Sequence, residues 1–343
     1  MADRSRFDVL RNLLLTRTGR PAGQLGDTDC VRLCAGLADG VSGMFVDQFG
    51  PLVVAVDYAE FKLSSGSAEA LVELVQACLP HHHVVAKVRS SADGSNRFAV
   101  AKSSSEASAM PLVGTERGLK FEIGTDPAHD FGLFLDAAKA RAFVRAAAQG
   151  QRVLNLFSYA GAFGIAAAAG GAAAVTNIDP NRDYLAWSLR NAKLNGVSMR
   201  VLPDTAQDYL AKHLRRLERD PERASYDLVI VDPPAFGVGR GNQRVLRLFW
   251  PELFASLRTL KPARVILMCN DKSFQSRRSF VALVEGELGA SYTFQRLGTY
   301  WTIHDLGLEP PPLDWAPSAE DPFYLEPVAL AGVCKDAAPA RGR

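Results

Sequence analysis

The chain has 343 residues, 48% of them hydrophobic and 22% charged, and its 39 Lys and Arg nearly cancel 37 Asp and Glu to leave +2. This composition excludes a disordered, collagen-like or coiled-coil protein, and no run of 18 apolar residues is present to span a membrane. At about 150 residues per domain the length suits two domains, and a charge so near zero argues against coating nucleic acid by bulk attraction.

The opening MADRSRFDVLRN lacks an apolar core of signal-peptide length, which predicts a cytoplasmic protein with no membrane partner. Residues 1–28 read as a basic N-terminal arm: over 1–25, Arg4, Arg6, Arg11, Arg17 and Arg20 oppose only Asp3 and Asp8. Such a run is either a nucleic-acid contact or a solvated, partly helical terminus. Over residues 29–125 the β-type runs GMFVDQFG, PLVVAVDY, VVAKVRSS and LKFEIG surround one helical stretch, SAEALVELVQACL, predicting a small α+β domain. Within it, residues 90–110 read as an exposed loop. Five Cys are too few for a disulfide framework. Cys30 and Cys34 have no second cysteine pair and His81-His82-His83 is one tract, so no tetrahedral metal site is expected.

The pattern changes over residues 126–334, with 335–343 left as a tail. LDAAKARAFVRAAAQG reads as a helix with Asp136 as its N-cap and Gly150 as its stop. There follow QRVLNLF (strand), AFGIAAAAGG (helix), AVTNID (strand), and a helix capped by Asp179, with Pro180 at its first position and Asn195-Gly196 closing it. MRVLP, a helix through YLAKHLRRL, DLVIVD, a helix around RVLRLFWPELFASLRTL, and RVILMC complete the series. The apolar strands are continuous rather than alternating, as when helices cover both faces of a parallel sheet. The fold class is therefore α/β, a doubly wound Rossmann-like sheet with a smaller N-terminal α+β domain.

Ligands of such sheets sit at the carboxyl ends of the strands, near the switch in strand order. The segment from Asn155 through Phe157, Ser158 and Tyr159 to Gly161 follows the first strand, and Gly161 lets backbone approach a ligand at a helix N-terminus. It is not G-x-G-x-x-G, which disfavours a dinucleotide oxidoreductase. Asp179 at the second strand end is placed to bond a ribose diol, and Asp204 after the third could reach an adenine amino group. The fourth strand ends in Asp232-Pro233-Pro234-Ala235-Phe236, where two prolines stop the sheet in a rigid turn with Phe236 available to stack on a planar group. A plain strand-terminating turn is the structural alternative.

VLNLFSYAGAFG, NID, DYLAWSLRNAKLNG, YDLVIVDPPAF and the upstream DFGLFLD resemble the class I S-adenosylmethionine-dependent ribosomal RNA methyltransferases. Among these, the similarity is to large-subunit (23S) enzymes that modify cytosine carbon-5 or guanine nitrogen-7. It covers residues 120–285 and extends loosely into the N-terminal domain through GMFVDQFG and VVAKVRSSADG. It implies S-adenosyl-L-methionine as cofactor and ribosomal RNA as partner, with Phe157 to Gly161 holding the methionine part, Asp179 the ribose and Asp204 the adenine. By the same likeness Asp232, Pro233 and Pro234 would shape the target-base pocket, and Phe134 to Asp136 would close over the donor.

The chain departs from that pattern in two places. Relatives carry Gln-Arg or His-Arg after the Leu-Asp, where Ala137 and Ala138 stand here, with basic side chains delayed to Lys139 and Arg141. Only about 30 residues precede the β-rich domain, so the RNA-binding modules common at this end of the family are expected to be absent or reduced.

Cytosine carbon-5 needs a thiolate to add to its ring, whereas guanine nitrogen-7 offers a lone pair and needs mainly positioning. Cys269 ends the fifth strand, but the cytosine enzymes place their cysteine where Asp271 stands. The guanine enzymes read Ser-Asn-Asn-Lys there, against Cys269-Asn270-Asp271-Lys272 here. Cys269 is accordingly expected to be a buried small hydrophobe, and nitrogen-7 is favoured. Six basic residues between Gly237 and Arg264 (Arg240, Arg244, Arg247, Arg258, Lys261, Arg264) oppose only Glu252 and suggest a phosphate-binding rim or a solvated helix face. Residues 297–330, with six acids and no Lys or Arg, should lie away from RNA, and His304 reads as a packed side chain. Competing readings are a small-molecule or protein methyltransferase, a nucleotide-binding oxidoreductase, and an RNA-binding module on an inactive methyltransferase fold.

Overall fold

The computed structural model describes residues 2–18, 27–58, 67–90, 97–103, 112–125, 131–220, 225–234, 243–269, 277–297 and 328–336. They fall into two compact units, one running through Leu135 and the other beginning at Asp136.

In the N-terminal unit, helix α1 (Ala2–Thr18) precedes strands β1 (Cys30–Ala35), β2 (Met44–Phe49) and β3 (Leu52–Asp57), helix α2 (Ser67–Cys78), and strands β4 (His83–Ser90) and β5 (Arg97–Lys102). The strands lie side by side in chain order. All neighbours are antiparallel except β3 and β4, which are parallel and joined through α2, because a parallel pair needs a crossover. α2 buries Ala68, Leu71, Val72, Val75 and Cys78, a stripe at helical spacing. Leu10 and Leu14 of α1 join the same core. A separate hairpin, β6 (Leu112–Glu116) and β7 (Leu119–Ile123), ends the unit's regular structure.

Two expectations change here. Over Ala2–Thr18 the basic arm is a packed helix, held because Leu10 and Leu14 are fully buried while Arg6 pairs with Asp57 and Arg17 with Asp39. Residues 97–102, read as loop, form β5 at the sheet edge, paired with β4 through backbone.

The C-terminal unit holds, in order, α3 (Ala138–Ala147), β8 (Arg152–Leu156), α4 (Ala162–Ala169), β9 (Ala174–Asp179), α5 (Arg182–Leu194), β10 (Arg200–Pro203), α6 (Ala206–Leu217), β11 (Leu228–Val231), α7 (Gln243–Leu260), β12 (Arg264–Cys269), α8 (Arg277–Leu288), β13 (Tyr292–Leu297) and β14 (Val328–Cys334). The sheet order is β10-β9-β8-β11-β12-β14-β13. β14 runs antiparallel to both neighbours, so the sheet is doubly wound but not wholly parallel as expected. Side chains alternate between two apolar layers. Leu154, Leu156, Val229, Val231, Val265 and Leu267 face one way, and Val153, Val175, Leu228, Ile230, Ile266 and Met268 the other. That two-sided burial is why the strands read as unbroken apolar runs.

Two expected caps also change. Asp136 lies in a 3₁₀ turn (Leu135–Ala137), and Ala137, which supplies no side-chain bond, precedes α3. Asn181, not Asp179, caps α5 by accepting from the Asp183 and Tyr184 N–H groups. Both aspartates are thereby left for other work. Asn195 and Gly196, at φ 62°, close α5 as expected.

Candidate active site

Strand order reverses between β8 and β11, the place where doubly wound sheets open a crevice at their carboxyl ends. The loop leaving β8 has φ of 57° at Phe157, 47° at Tyr159 and 83° at Gly161. Positive φ costs non-glycine residues of order 1 kcal/mol or more and gathers at functional sites. At Gly161 the reason for glycine is twofold, since a Cβ there would collide with the Ser188 side chain as well as suffer the backbone conformation.

Hydrogen bonds tie this loop to β9. The Ser158 N–H donates to the Ile178 carbonyl at 2.9 Å, and the Gly161 N–H to the Ser158 carbonyl at 2.8 Å. The Tyr159 N–H donates to Asp179 Oδ2 at 2.9 Å, while Asp179 Oδ1 accepts from the Asn181 N–H at 2.9 Å. Asp179 is buried, and burial raises its carboxyl above the usual range, opposed by the Asn181 and Tyr159 bonds. Each of its oxygens keeps a further lone pair for a donor in the crevice. The ring of Phe157 packs edge-on to Phe249 at 5.2 Å, and that of Tyr159 to Tyr184 at 4.6 Å.

Asn155, expected in this loop, instead sits inside β8, 1% exposed, and donates to Asn177 Oδ1 at 3.0 Å. Asp204 ends β10, one strand beyond Asp179, and takes a 2.8 Å ion pair from Lys212. Asp232 follows β11, with Pro233 buried and Pro234 exposed beside it. Its carboxyl is pushed up to about 7, first by burial and then by the Asp136 carboxylate, with Arg141 pulling the other way. Arg141 is itself buried, its guanidinium 5.9 Å from the centre of the Phe163 ring.

The structure therefore ties Ser158, Tyr159, Gly161 and Asp179 together by hydrogen bonds within the loop and to β9, packs Phe157 against Phe249, and couples Asp136 with Asp232 by their fields. Phe134 is an exposed aromatic of the N-terminal unit. Phe236 lies outside the described residues, as do Asn270 to Lys272, His304 and residues 298–327 of the acidic stretch. Asn177, Ser188, Asn191 and Arg141 were missed as site residues. The available signal was a basic residue delayed by five places after Asp136.

The basic segment is divided by topology. α7 leaves near the carboxyl end of β11 and returns to the amino end of β12, so Arg258, Lys261 and Arg264 stand at the edge opposite the crevice. Arg258 pairs there with Glu287 at 2.7 Å. These three cannot form the expected rim beside Asp232. Arg240 is outside the described residues.

Cys269 is 5% exposed within the apolar layer at the end of β12. No group of three or more His, Cys, Asp or Glu suited to a metal occurs among the described residues, and no described helix is long and apolar enough to cross a membrane.

The donor set suits an adenosyl-sulfonium ligand. Adjacent strand ends carry Asp179 and Asp204, a glycine opens the α4 N-terminus, and Ser158 Oγ is buried without a protein partner among the described residues. Such a group, when bound, supplies an electrophilic methyl.

Comparison with known proteins agrees. The family model described as S-adenosylmethionine-dependent methyltransferase matches residues 76–276. A "Ribosomal RNA large subunit methyltransferase K/L" of Shewanella sp. (strain ANA-3) is 37% identical over 155 residues, 45% of this chain and 21% of that protein. A "Ribosomal RNA large subunit methyltransferase I" of Erwinia tasmaniensis is 32% identical over 214 residues, 61% of this chain and 52% of that one. The chain thus spans between a fifth and about half the length of these curated relatives. A solved S-adenosylmethionine-dependent methyltransferase from Streptococcus mutans shares the fold, with a TM-score of 0.68 and 22% identity over 95% of this chain and 81% of its own. Strand order, crevice and family match lead to one conclusion: the chain belongs to the S-adenosylmethionine-dependent methyltransferases.

Proposed function

We propose that the protein transfers a methyl group from S-adenosylmethionine to a base of RNA, specifically 23S ribosomal RNA, with guanine nitrogen-7 as the acceptor. The observation that carries the donor half is the strained Phe157–Gly161 loop clamped to Asp179 at the switch point. The named activities of the Shewanella and Erwinia proteins support RNA as the substrate class.

In this reading Phe157 to Gly161 hold the methionine part, Asp179 bonds the ribose, and Asp204 faces the adenine. Phe134 and Asp136 cover the donor, while Asp232, Pro233, Pro234 and Phe236 shape the base pocket. Transfer to a lone pair needs the base held in line with the methyl, and a rigid Pro-Pro turn suits that. An ionised Asp232 beside the crevice would stabilise the positive charge as it passes from donor to guanine ring. Burial of Cys269 among Leu267, Phe280 and Val328 speaks against a thiolate that must reach a ring carbon.

Mass mapping of nucleosides in ribosomal RNA with and without the protein tests the proposal. One methylguanosine should appear with it; an unchanged RNA overturns the substrate. Cys269→Ser is expected to keep methyl transfer, because no step uses the thiol, while the hydroxyl placed in an apolar layer lowers stability by about 1–3 kcal/mol. Loss of turnover with intact donor binding would restore cytosine carbon-5.

A further inference from the structure

We infer that a buried chain of polar side chains, Asn155–Asn177–Ser188 with Asn191, positions the donor loop, a role that rests on the donor-site reading above. Asn155 of β8 and Asn177 of β9 stand opposite each other in register. Asn177, Ser188 and Asn191 are 0% exposed. Asn155 Nδ2 donates to Asn177 Oδ1 at 3.0 Å, and Asn177 Nδ2 to Ser188 Oγ at 3.1 Å. One turn further along α5, Asn191 Nδ2 donates to the Ala160 carbonyl at 3.0 Å. That carbonyl lies between the positive-φ residues Tyr159 and Gly161.

Burying four polar side chains at a helix–sheet joint is unfavourable unless they are bonded, and apolar side chains would fill the same space. What apolar side chains lack is direction. Asn191 fixes one peptide of the loop, and Asn177 and Ser188 set how closely the loop can lie. A Cβ on Gly164 would meet the Asn177 amide and one on Gly161 the Ser188 side chain, so the loop backbone rests directly on the chain. Unfavourable φ values persist only where surroundings over-determine them; here the Asn191 bond from below and the Asp179 bond from β9 do so. Asn155 Oδ1, at the chain's far end, is buried without a partner among the described residues. A network serving stability alone gains nothing from leaving a buried acceptor unmet.

These residues are positioning residues, and the test separates position from stability. In the full chain, Asn191→Leu and Ser188→Ala are compared with Asn195→Ala, which removes a 2.8 Å bond to the Asn191 carbonyl at the end of the same helix, away from the loop. Calorimetry with S-adenosylhomocysteine should show a dissociation constant raised about 10- to 100-fold in the first two, the loss typical when groups supporting a site are removed. Donor KM should rise in parallel while kcat at saturating donor stays near wild type. Asn195→Ala should lower the thermal midpoint without moving the dissociation constant. Unchanged affinity in folded Ser188→Ala, the smaller deletion and the less prone to unfold, overturns the inference, as does an equal affinity loss in Asn195→Ala. A wild-type protein that binds no S-adenosylhomocysteine overturns the donor-site reading itself.

Discussion

In the N-terminal unit Arg17 meets Asp39 at 2.6 Å and Arg6 meets Asp57 at 3.0 Å, on ordinary helix, strand and 3₁₀ backbone. At the carboxyl ends of β8, β9 and β11, by contrast, an acid is pushed up to about 7, the Ser158 hydroxyl lacks a protein partner among the described residues, and two non-glycine residues hold positive φ. Polarity in the first region is matched charge for charge and fixes a helix onto a sheet. In the second a carboxyl is lifted by burial and by a neighbouring carboxylate, and the backbone is held in a state that folding alone does not favour. The difference teaches which region serves the fold and which serves a ligand.

Gly161→Ala should break the second region most severely. With φ at 83° and Ser188 in the way, donor affinity is expected to fall by more than about 100-fold, and stability by more than about 1 kcal/mol. Calorimetry and thermal melting read the two; full affinity would mean that the loop's conformation is immaterial to the donor. Arg17→Met addresses the first region. It leaves Asp39 with its charge uncompensated in a site where the pair is 8% and 13% exposed, and should remove about 3 kcal/mol from denaturant unfolding. Donor affinity should not change, and a change would erase the distinction between the regions.

Asp232→Asn gives a smaller effect with a sign that can be worked out. The folded carboxyl is raised from 3.8 to about 7, so the folded state binds the proton more tightly than the unfolded chain. This group's contribution to stability is full below about pH 4 and is lost as pH rises through about 7. The variant and wild type should therefore melt alike near pH 4, with the variant gaining relative stability up to pH 8. If ionised Asp232 also stabilises the transferring charge, methyl transfer by wild type rises over pH 6–8 and the variant's profile is flat. Parallel melting curves at every pH would place Asp232 in an ordinary solvated setting.

Much of this organisation could be read from residues in a line. Continuous apolar runs in VLNLF, LVIV and VILM marked a sheet covered on both sides, and Asp179 and Asp232 at strand ends marked the crevice. What escaped depended on contacts across the chain. Asp136 and Asp179 looked like caps because an acid before a helix usually is one; at α5 the neighbouring Asn181 takes that place through local bonds to the Asp183 and Tyr184 N–H groups, while Asp179 is drawn into a bond with Tyr159 across the chain. The six basic residues of 237–264 looked like one patch because they crowd one stretch of sequence, yet α7 carries the last three to the edge of the sheet opposite the crevice. Asn177 and Asn191 gave no local signal of facing a loop, since β9 and α5 are brought beneath it by the sheet. The alternation-poor VALAGVC concealed β14, the strand that turns the parallel sheet into a mixed one.

The place of β14 bears on how the unit can be completed during synthesis. β13 touches the sheet through β14, which enters between it and β12. Until residues 328–334 are made, β13 has no partner among the described strands and β12 lacks the neighbour that covers its edge, the kind of edge that recruits other chains. The strands that carry the donor crevice, β8, β9 and β11, are all encoded before β14. A nascent chain can thus shape its ligand site well before it can close the flank most prone to aggregate, so shielding of β12 is governed by how quickly the last strand arrives.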